Sequence, residues 1–154
     1  MSIPWSVYIV TLNCAAWLED TLNSVADFAE VIILDSGSTD DTYKIAQSFA
    51  NVRISHQDWQ GYAAQKSLAL AQCQQEWVLN LDGDEVLSDE LKQEIAATIQ
   101  ANHIDALITP INDVFLAVPN SKHTKKHAKV RFFRKVKDSM ILPIKCMKMW
   151  LLKG

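Results

Sequence analysis

The sequence contains few of the residues that mark disulfide-bonded, fibrous or membrane-spanning proteins. Its three cysteines, Cys14, Cys73 and Cys146, are widely spaced, which excludes a simple disulfide framework and a CxxC zinc site. Four glycines and four prolines in 154 residues exclude collagen-like and low-complexity chains. No apolar run approaches the roughly 18–20 residues that cross a bilayer, and the first ten residues do not resemble a signal peptide. We therefore expect a globular protein of the reducing cytoplasm.

Charge is distributed unevenly along the chain. Residues 1–121 contain 4 Lys and Arg but 17 Asp and Glu, whereas residues 122–154 contain 11 Lys and Arg and one acid, Asp138. An acidic body is typical of cation binding or of plain solubility, and a basic end is typical of contact with phosphate, an anionic membrane or nucleic acid. Nucleic acid is disfavoured because only Phe132 and Phe133 interleave with the basic residues. Membrane contact and a solvated loop both remain open for residues 122–137, and a solvated tail is favoured for residues 138–154.

Short apolar runs alternate with amphipathic stretches along the first hundred residues. The runs predict buried strands, and the stretches predict helices with one apolar face. This alternation implies parallel strands with right-handed crossovers, so we predict an α/β fold with a Rossmann-like, mostly parallel sheet flanked by helices. The predicted strands are residues 7–10, 31–34, 52–55, 77–81, 106–109, 114–118 and 130–136; the predicted helices are 15–25, 39–49, 62–73 and 89–100, with Asn13, Ser38 and Ser88 as caps. Residues 120–129 are predicted to form a loop, and residues 140–154 follow no recognisable pattern.

Three polar clusters directly follow predicted strands. They are residues 11–13, 35–41 and 82–85. In a parallel sheet the carboxyl ends of the strands meet at one edge, where ligands bind. We therefore expect the three clusters to lie together and to carry the chemistry of the protein.

The cluster Asp82-Gly83-Asp84 has the chemistry of a cation site. Two carboxylates at positions i and i+2 after a strand can turn toward one hard cation, and Mg²⁺ commonly uses one or two carboxylates together with substrate phosphates. Gly83 allows close approach of the backbone, and Glu85 adds a third acid. An acidic turn before a capped helix is the alternative interpretation.

The cluster that begins at Asp35 has the chemistry of a polar-ligand site. A Gly/Ser loop that leads into a helix can cradle anionic or polar groups, and the Asp35 carboxylate can accept hydrogen bonds from a base or a ribose. The alternative is that Ser38 and Asp41 only cap the helix. That interpretation gives no reason for an acid at position 35. Lys66, one turn inside the third predicted helix, either meets a phosphate or lies on a solvated helix face.

The order of these motifs resembles a known family. The chain reads Thr11-Leu12-Asn13, then Val31 to Asp40 (VIILDSGSTD), then Gly61 to Lys66, and then Leu79 to Glu85 (LNLDGDE). This order, over about residues 5–135, resembles the family 2 glycosyltransferases, which are inverting enzymes of the GT-A fold. Within that family the chain resembles the lipopolysaccharide-core β-1,4-glucosyltransferase branch.

The resemblance implies a UDP-sugar donor, with glucose as the expected hexose, a lipopolysaccharide-core or related glycan acceptor, and Mg²⁺ or Mn²⁺ as cofactor. Asp84 matches the metal ligand of the family, and Asp82 lies beside it toward the donor sugar or ribose. Asp35 matches the nucleoside-binding acid. The other expected donor contacts are Thr11, Asn13, Lys66 and Ser36, and Ser36 stands where the common family pattern has a second acid.

The segment after residue 137 departs from the family. Its enzymes need a carboxylate general base on the acceptor side, and this chain offers only Asp138 there. We expect the chain to be truncated or frame-shifted near residue 137, with a nucleotide-sugar-binding domain at residues 1–137, an incomplete acceptor part and an atypical tail at 138–154. The base is then missing from the chain. The expected location is the cytoplasm, with peripheral contact at the anionic inner face of the inner membrane.

Two other functions remain open at this point. One is an inactive remnant that binds UDP-sugar and metal. A phosphotransferase or phosphatase of the haloacid dehalogenase type also places an Asp-x-Asp motif after an apolar strand. That class carries the motif near its first strand, whereas here it follows the fourth, so it fits poorly.

Overall fold

The computed structural model describes residues 2–101, 104–111, 114–115, 118–119, 127–135 and 149–151. The strands are β1 (Ile3–Thr11), β2 (Phe28–Asp35), β3 (Val52–His56), β4 (Trp77–Asn80), β5 (Ala106–Ile111), β6 (Val114–Phe115), β7 (Val118–Pro119), β8 (His127–Arg134) and β9 (Met149–Leu151). The helices are α1 (Ala15–Ser24), α2 (Thr42–Gln47), α3 (Tyr62–Ala71) and α4 (Asp89–Ala101).

Within the described residues, seven strands form one sheet in the order β3-β2-β1-β4-β8-β5-β9. β1 pairs in parallel with β2 and β4, and β2 pairs in parallel with β3. β8 runs antiparallel to both of its neighbours, β4 and β5. The α/β fold with a mostly parallel sheet is therefore confirmed, with β8 as the reversed strand.

The central strands are buried on both faces because their apolar residues alternate between two cores. Val7 and Ile9 of β1 pack into the core that also contains Leu18 of α1 and Ile95 of α4. Tyr8, between them, packs into the opposite core with Leu70 of α3. Since side chains of a strand alternate between the two faces of its sheet, an unbroken apolar run is what a strand covered on both sides requires.

The predictions for the later part of the chain were less accurate. Residues 114–118 do not form one edge strand, because β6 and β7 pair antiparallel with each other in a separate two-stranded sheet. β8 begins at His127, so the predicted loop is wrong for residues 127–129. β9 forms in a segment where no pattern was recognised. Asp138 lies outside the described residues.

One predicted cap is confirmed and two are wrong. The Ser88 hydroxyl accepts a hydrogen bond from the backbone N–H of Leu91, as expected of the residue before α4. Asn13 and Ser38 do not cap α1 and α2. Their side chains bond between loops, and the residues that directly precede the two helices make no side-chain cap.

Candidate functional site

The three predicted polar clusters meet at one edge of the sheet. Thr11 ends β1 and is paired with Asp35 at the end of β2. On the other side of β1, Tyr8 is paired with Asn80, the last residue of β4, and Asp82 follows two residues later. The register therefore brings the ends of β2, β1 and β4 side by side, as the strand–helix alternation predicts.

Asp35 is buried and its carboxylate is satisfied from within the protein. It accepts hydrogen bonds from the hydroxyl of Thr11 (2.7 Å), the hydroxyl of Ser38 (2.5 Å) and the backbone N–H groups of Gly37 and Ser38 (2.8 and 2.7 Å). Gly37 has φ of 108°, a conformation that glycine adopts readily, and it turns the chain so that these N–H groups reach Asp35. The carboxylate thus fixes the loop after β2.

A second set of bonds joins the loop after β1 to the loop after β2. Asn13, in the left-handed region with φ of 51°, accepts a hydrogen bond from the backbone N–H of Thr39. The backbone N–H of Asn13 donates to the Ser38 hydroxyl. Asp40 accepts from the N–H of Ala15, the first residue of α1, and from the N–H of Thr42, the first residue of α2. Asp40 therefore hydrogen-bonds the first residues of both helices, a role that the sequence pattern assigns to Asn13 and Ser38.

The third cluster is a four-residue acidic turn, residues 82–85, held by two cations. Asp82 accepts from the ammonium of Lys66 on Oδ1 (3.0 Å) and from the guanidinium of Arg131 on Oδ2 (3.2 Å). Glu85 accepts from the same guanidinium (2.8 Å) and from the backbone N–H of Asp82 (2.9 Å). Burial raises the pKa of Asp82, but Lys66 and Arg131 outweigh it, so its pKa lies below the ordinary value.

Arg131 is the residue of this site that sequence analysis missed. It belongs to β8, and its side chain is only 7% exposed. The signal was an arginine followed by Phe132 and Phe133 in an apolar strand, since arginine is almost never buried without a charged partner. Sequence analysis grouped it with the basic segment instead.

A cleft of about 1000 Å³ opens beside the acidic turn. Among the residues that line it are Thr11, Asn13, Lys66, Asp82 and Asp84. Asp84 is exposed, and no hydrogen bond or ion pair joins its carboxylate to another described residue. Exposed rings of Trp17, Trp59 and Tyr62 also line the cleft. The cleft thus combines a free carboxylate, a lysine and aromatic surface.

Two predicted site residues lie behind this surface. Asp35 is fully buried, and Ser36 accepts a hydrogen bond on its hydroxyl from the Gln65 amide (2.9 Å). Neither is among the residues that line the cleft. In this structure both hold the loop after β2 against β1 and α3.

The carboxylate oxygens of the acidic turn suit a hard cation whose coordination shell is completed by a second ligand. Asp84 offers free carboxylate oxygens, whereas both oxygens of Asp82 already accept hydrogen bonds. Within the described residues, no group of three or more His, Cys, Asp and Glu side chains is placed to hold a metal ion. One or two carboxylates plus substrate phosphates is a common arrangement for Mg²⁺, so the turn fits Mg²⁺ or Mn²⁺ in that mode and not as a closed metal cage.

The family model that describes glycosyl transferase family 2 matches residues 6–153, nearly the whole chain. The chain belongs to glycosyl transferase family 2. The family and the GT-A fold that the motif order predicts are therefore confirmed.

Curated relatives cover the chain well but are much longer. The chain is 38% identical over 104 residues to the lipopolysaccharide core biosynthesis glycosyltransferase LpsC of Rhizobium meliloti, covering 65% of this chain and 38% of LpsC. It is 32% identical over 141 residues to the glycosyltransferase SunS of Bacillus subtilis, covering 84% of this chain and 33% of SunS. The chain thus spans about a third of the length of these two relatives.

Solved glycosyltransferases share the fold. Staphylococcus aureus TarS, solved in complex with UDP-GlcNAc, superposes with a TM-score of 0.65 at 29% identity, covering 81% of this chain and 39% of that chain. Glucosyl-3-phosphoglycerate synthase of Mycobacterium tuberculosis, solved with Mn²⁺, UDP and glucosyl-3-phosphoglycerate, gives 0.58 at 23% identity, covering 68% and 43%. The second likeness concerns the fold alone.

Gly83 sets how closely the acidic turn packs against Cys14 and α1. A Cβ at Gly83 would lie 3.1 Å from Sγ of Cys14, and the Gly83 carbonyl accepts a hydrogen bond from Thr21 of α1 (3.1 Å). We expect Gly83→Ala to lower the free energy of unfolding by about 1–2 kcal/mol, because overpacking displaces the turn. Urea unfolding of Gly83→Ala, Cys14→Ala and the double variant measures this. Recovery in the double variant supports the contact, and simple additivity contradicts it.

Acid should weaken the fold through carboxyls of the sheet. Burial alone would raise the pKa of Glu30, Asp35 and Asp82, but hydrogen bonds and nearby cations outweigh it, so each pKa is lowered. Their stabilisation is therefore complete above the unfolded value of about 4 and is lost as pH falls through the folded values. We expect the urea concentration at the midpoint of unfolding to decrease when the pH is lowered below about 4, and to decrease less steeply in Glu30→Gln. A midpoint unchanged down to about pH 3 would contradict this.

Proposed function

We propose that this chain carries the donor-binding machinery of an inverting glycosyltransferase. Its donor is a UDP-hexose, with UDP-glucose expected, and its acceptor is a lipopolysaccharide-core or related glycan. The observation that carries the proposal is the free Asp84 carboxylate in a cleft formed where the ends of β1 and β4 meet. The likeness to LpsC supports the class of acceptor, and the UDP-GlcNAc complex of TarS supports a UDP-sugar donor.

The residues of the cleft suit a nucleoside diphosphate. Thr11 ends β1 and Asn13 lies in the loop after it, and we assign both to the nucleoside side of the donor. Asp35, locked behind Thr11 by a 2.7 Å hydrogen bond, holds that end of the site in place. Lys66 lines the cleft and offers a point charge to a phosphate.

We assign the acidic turn to the diphosphate of the donor, which is the leaving group of the proposed reaction. Asp84, with Asp82 beside it, would hold a divalent cation, Mg²⁺ or Mn²⁺, which would supply Lewis-acid stabilisation of the charge that grows on the leaving group. Lys66 bonds Oδ1 of Asp82 and lines the same cleft, so it adds positive charge beside the proposed diphosphate. We assign no general base among the described residues, and the weak sequence candidate, Asp138, lies outside them.

The proposed acceptor gives the basic end of the chain a role. Residues 122–137 carry 8 Lys and Arg, and each such residue near an anionic membrane contributes about 1 kcal/mol of attraction. Exposed Lys129 of β8 lines the cleft, which places part of this charge beside the site. No described helix is long and apolar enough to span a bilayer. We place the enzyme in the cytoplasm, in peripheral contact with the inner face of the inner membrane.

Calorimetry with UDP-glucose tests the proposal directly. The chain is titrated with UDP-glucose in MnCl₂ and again in EDTA, with ADP-glucose as the control for the base. We expect binding of the uridine donor that weakens greatly in EDTA, and weak binding of ADP-glucose. Equal binding of both donors, or UDP-glucose binding that EDTA leaves unchanged, would defeat the proposal.

Product analysis separates the remaining functions. Transfer of glucose from radiolabelled UDP-glucose to a lipopolysaccharide core shows the full activity, whereas donor binding without transfer or hydrolysis identifies a binding remnant. Release of inorganic phosphate from a simple phosphomonoester would favour the phosphatase alternative.

A further inference from the structure

Both oxygens of the Asp82 carboxylate already accept hydrogen bonds from cations of the protein itself. Lys66 of α3 approaches Oδ1 at 3.0 Å, and both terminal nitrogens of Arg131 approach Oδ2 at 3.2 and 3.3 Å. The two cations reach it from different elements of the fold. A metal ion that used Asp82 in this arrangement would compete with them for the same carboxylate.

Arg131 also neutralises the third acid of the turn. Its guanidinium donates to Glu85 at 2.8 Å while it holds Asp82. Arg131 is 5% exposed as a residue, and its Nε is buried with no hydrogen-bond partner in the described part of the chain. The guanidinium is therefore positioned by the two carboxylates, at the expense of one unsatisfied donor.

The charges of this site nearly balance. Asp82, Asp84 and Glu85 contribute three negative charges, and Lys66 and Arg131 contribute two positive charges within hydrogen-bond distance. Within this hydrogen-bonded group one negative charge remains, on the exposed Asp84, and Lys129 of the cleft wall adds positive charge near it. A single free carboxylate is a poor site for a free divalent cation, which prefers several oxygen ligands.

We propose that Arg131 and Lys66 keep the acidic turn charge-balanced. The cleft then binds its divalent cation as a chelate with a nucleoside diphosphate, and not as the free ion. The diphosphate supplies the negative charge and the oxygen ligands that the turn lacks while Asp82 and Glu85 are paired with Lys66 and Arg131. Arg131 is then a positioning residue, which acts through Asp82 and Glu85. This inference rests on the proposed function, because it takes the diphosphate as the ligand of the cleft.

The test measures Mn²⁺ binding without any reaction. The electron paramagnetic resonance signal of free Mn²⁺ is titrated with the full chain, first with MnCl₂ alone and then with UDP present. For the unaltered protein we expect Mn²⁺ alone to bind at least about 100-fold more weakly than Mn²⁺ with UDP. In Arg131→Met, Asp82 and Glu85 both lose their ion pair with Arg131, and Asp82 keeps the one with Lys66, so the affinity for Mn²⁺ alone should rise about tenfold or more.

Two further variants separate positioning from general structure. Arg131→Lys keeps the charge and should stay close to the unaltered protein in Mn²⁺ affinity. Arg134→Met removes a cation of the same strand that pairs with Glu76 at 3.2 Å, and it should leave both affinities unchanged. If Arg131→Met does not fold by circular dichroism, Lys66→Met removes the other cation and must tighten binding of Mn²⁺ alone in the same direction.

Two results would overturn the inference. One is tight binding of Mn²⁺ alone to the unaltered protein, equal to that with UDP. The other is a folded Arg131→Met or Lys66→Met protein whose affinity for Mn²⁺ alone is not raised. Failure of UDP to bind under any condition would instead defeat the proposed function, and it would leave the comparison of Mn²⁺ affinities among variants intact.

Discussion

Replacing Asp84 with asparagine should remove the cation-dependent part of UDP binding and leave the fold unchanged. Asp84 is exposed in the cleft and makes no hydrogen bond or ion pair with another described residue, so stability has little to lose. Binding of UDP with Mn²⁺ should weaken about 100-fold or more, since a carboxylate–cation contact in a partly desolvated cleft is worth several kcal/mol. Calorimetry with and without EDTA measures the loss.

The matched control for Asp84→Asn is Asp20→Asn. Asp20 is an exposed acid on α1 that does not line the cleft, so its variant removes the same charge elsewhere. It should bind UDP and Mn²⁺ like the unaltered protein. If both variants behave alike, or if Asp84→Asn still responds to EDTA as the unaltered protein does, Asp84 is not the metal carboxylate.

Asp35→Asn should cause the largest loss of stability among the site variants. The buried carboxylate accepts four hydrogen bonds, two from backbone N–H groups and two from hydroxyls. An amide of the same shape turns one acceptor into a donor, which then faces other donors. Since hydrogen bonds to a charged group contribute about 1.5–3 kcal/mol, we expect unfolding to become easier by about 3 kcal/mol or more.

Urea unfolding of Asp35→Asn should be compared with Asp41→Asn. Asp41 lies in the same loop but is exposed, and its side chain makes no cap to α2. Its variant should stay within about 0.5 kcal/mol of the unaltered protein. Equal stability of the two variants would contradict the internal role of Asp35 and would favour direct contact of its carboxylate with the nucleoside.

The sequence predicted the site edge because parallel topology leaves few choices. Once the runs ending at Thr11, Asp35 and Asn80 are strands of one parallel sheet, their carboxyl ends must share an edge. Apolar runs without alternation were sufficient for this, since each strand is covered on both faces.

Two of the three cap predictions failed for a physical reason. Asn and Ser before a helix favour a local cap, but here Asn13 and Ser38 bond across 25 and 26 residues to the neighbouring loop. Such pairs form only when two strand ends come together, so no local pattern reveals them. Arg131 was missed for the same reason, since its partners Asp82 and Glu85 precede it by 49 and 46 residues.

The central claim is that the acidic turn and the end of β1 form one binding site for a cation–nucleotide complex. Paramagnetic broadening by Mn²⁺–UDP, recorded on the backbone amide resonances of the isotope-labelled chain, tests it most directly. We predict the strongest broadening at residues 11–13 and 82–85, and the weakest at Phe28 and Trp77, which begin β2 and β4 at the opposite end of the sheet. Strong broadening at Phe28 and Trp77, with residues 82–85 unaffected, would contradict the account.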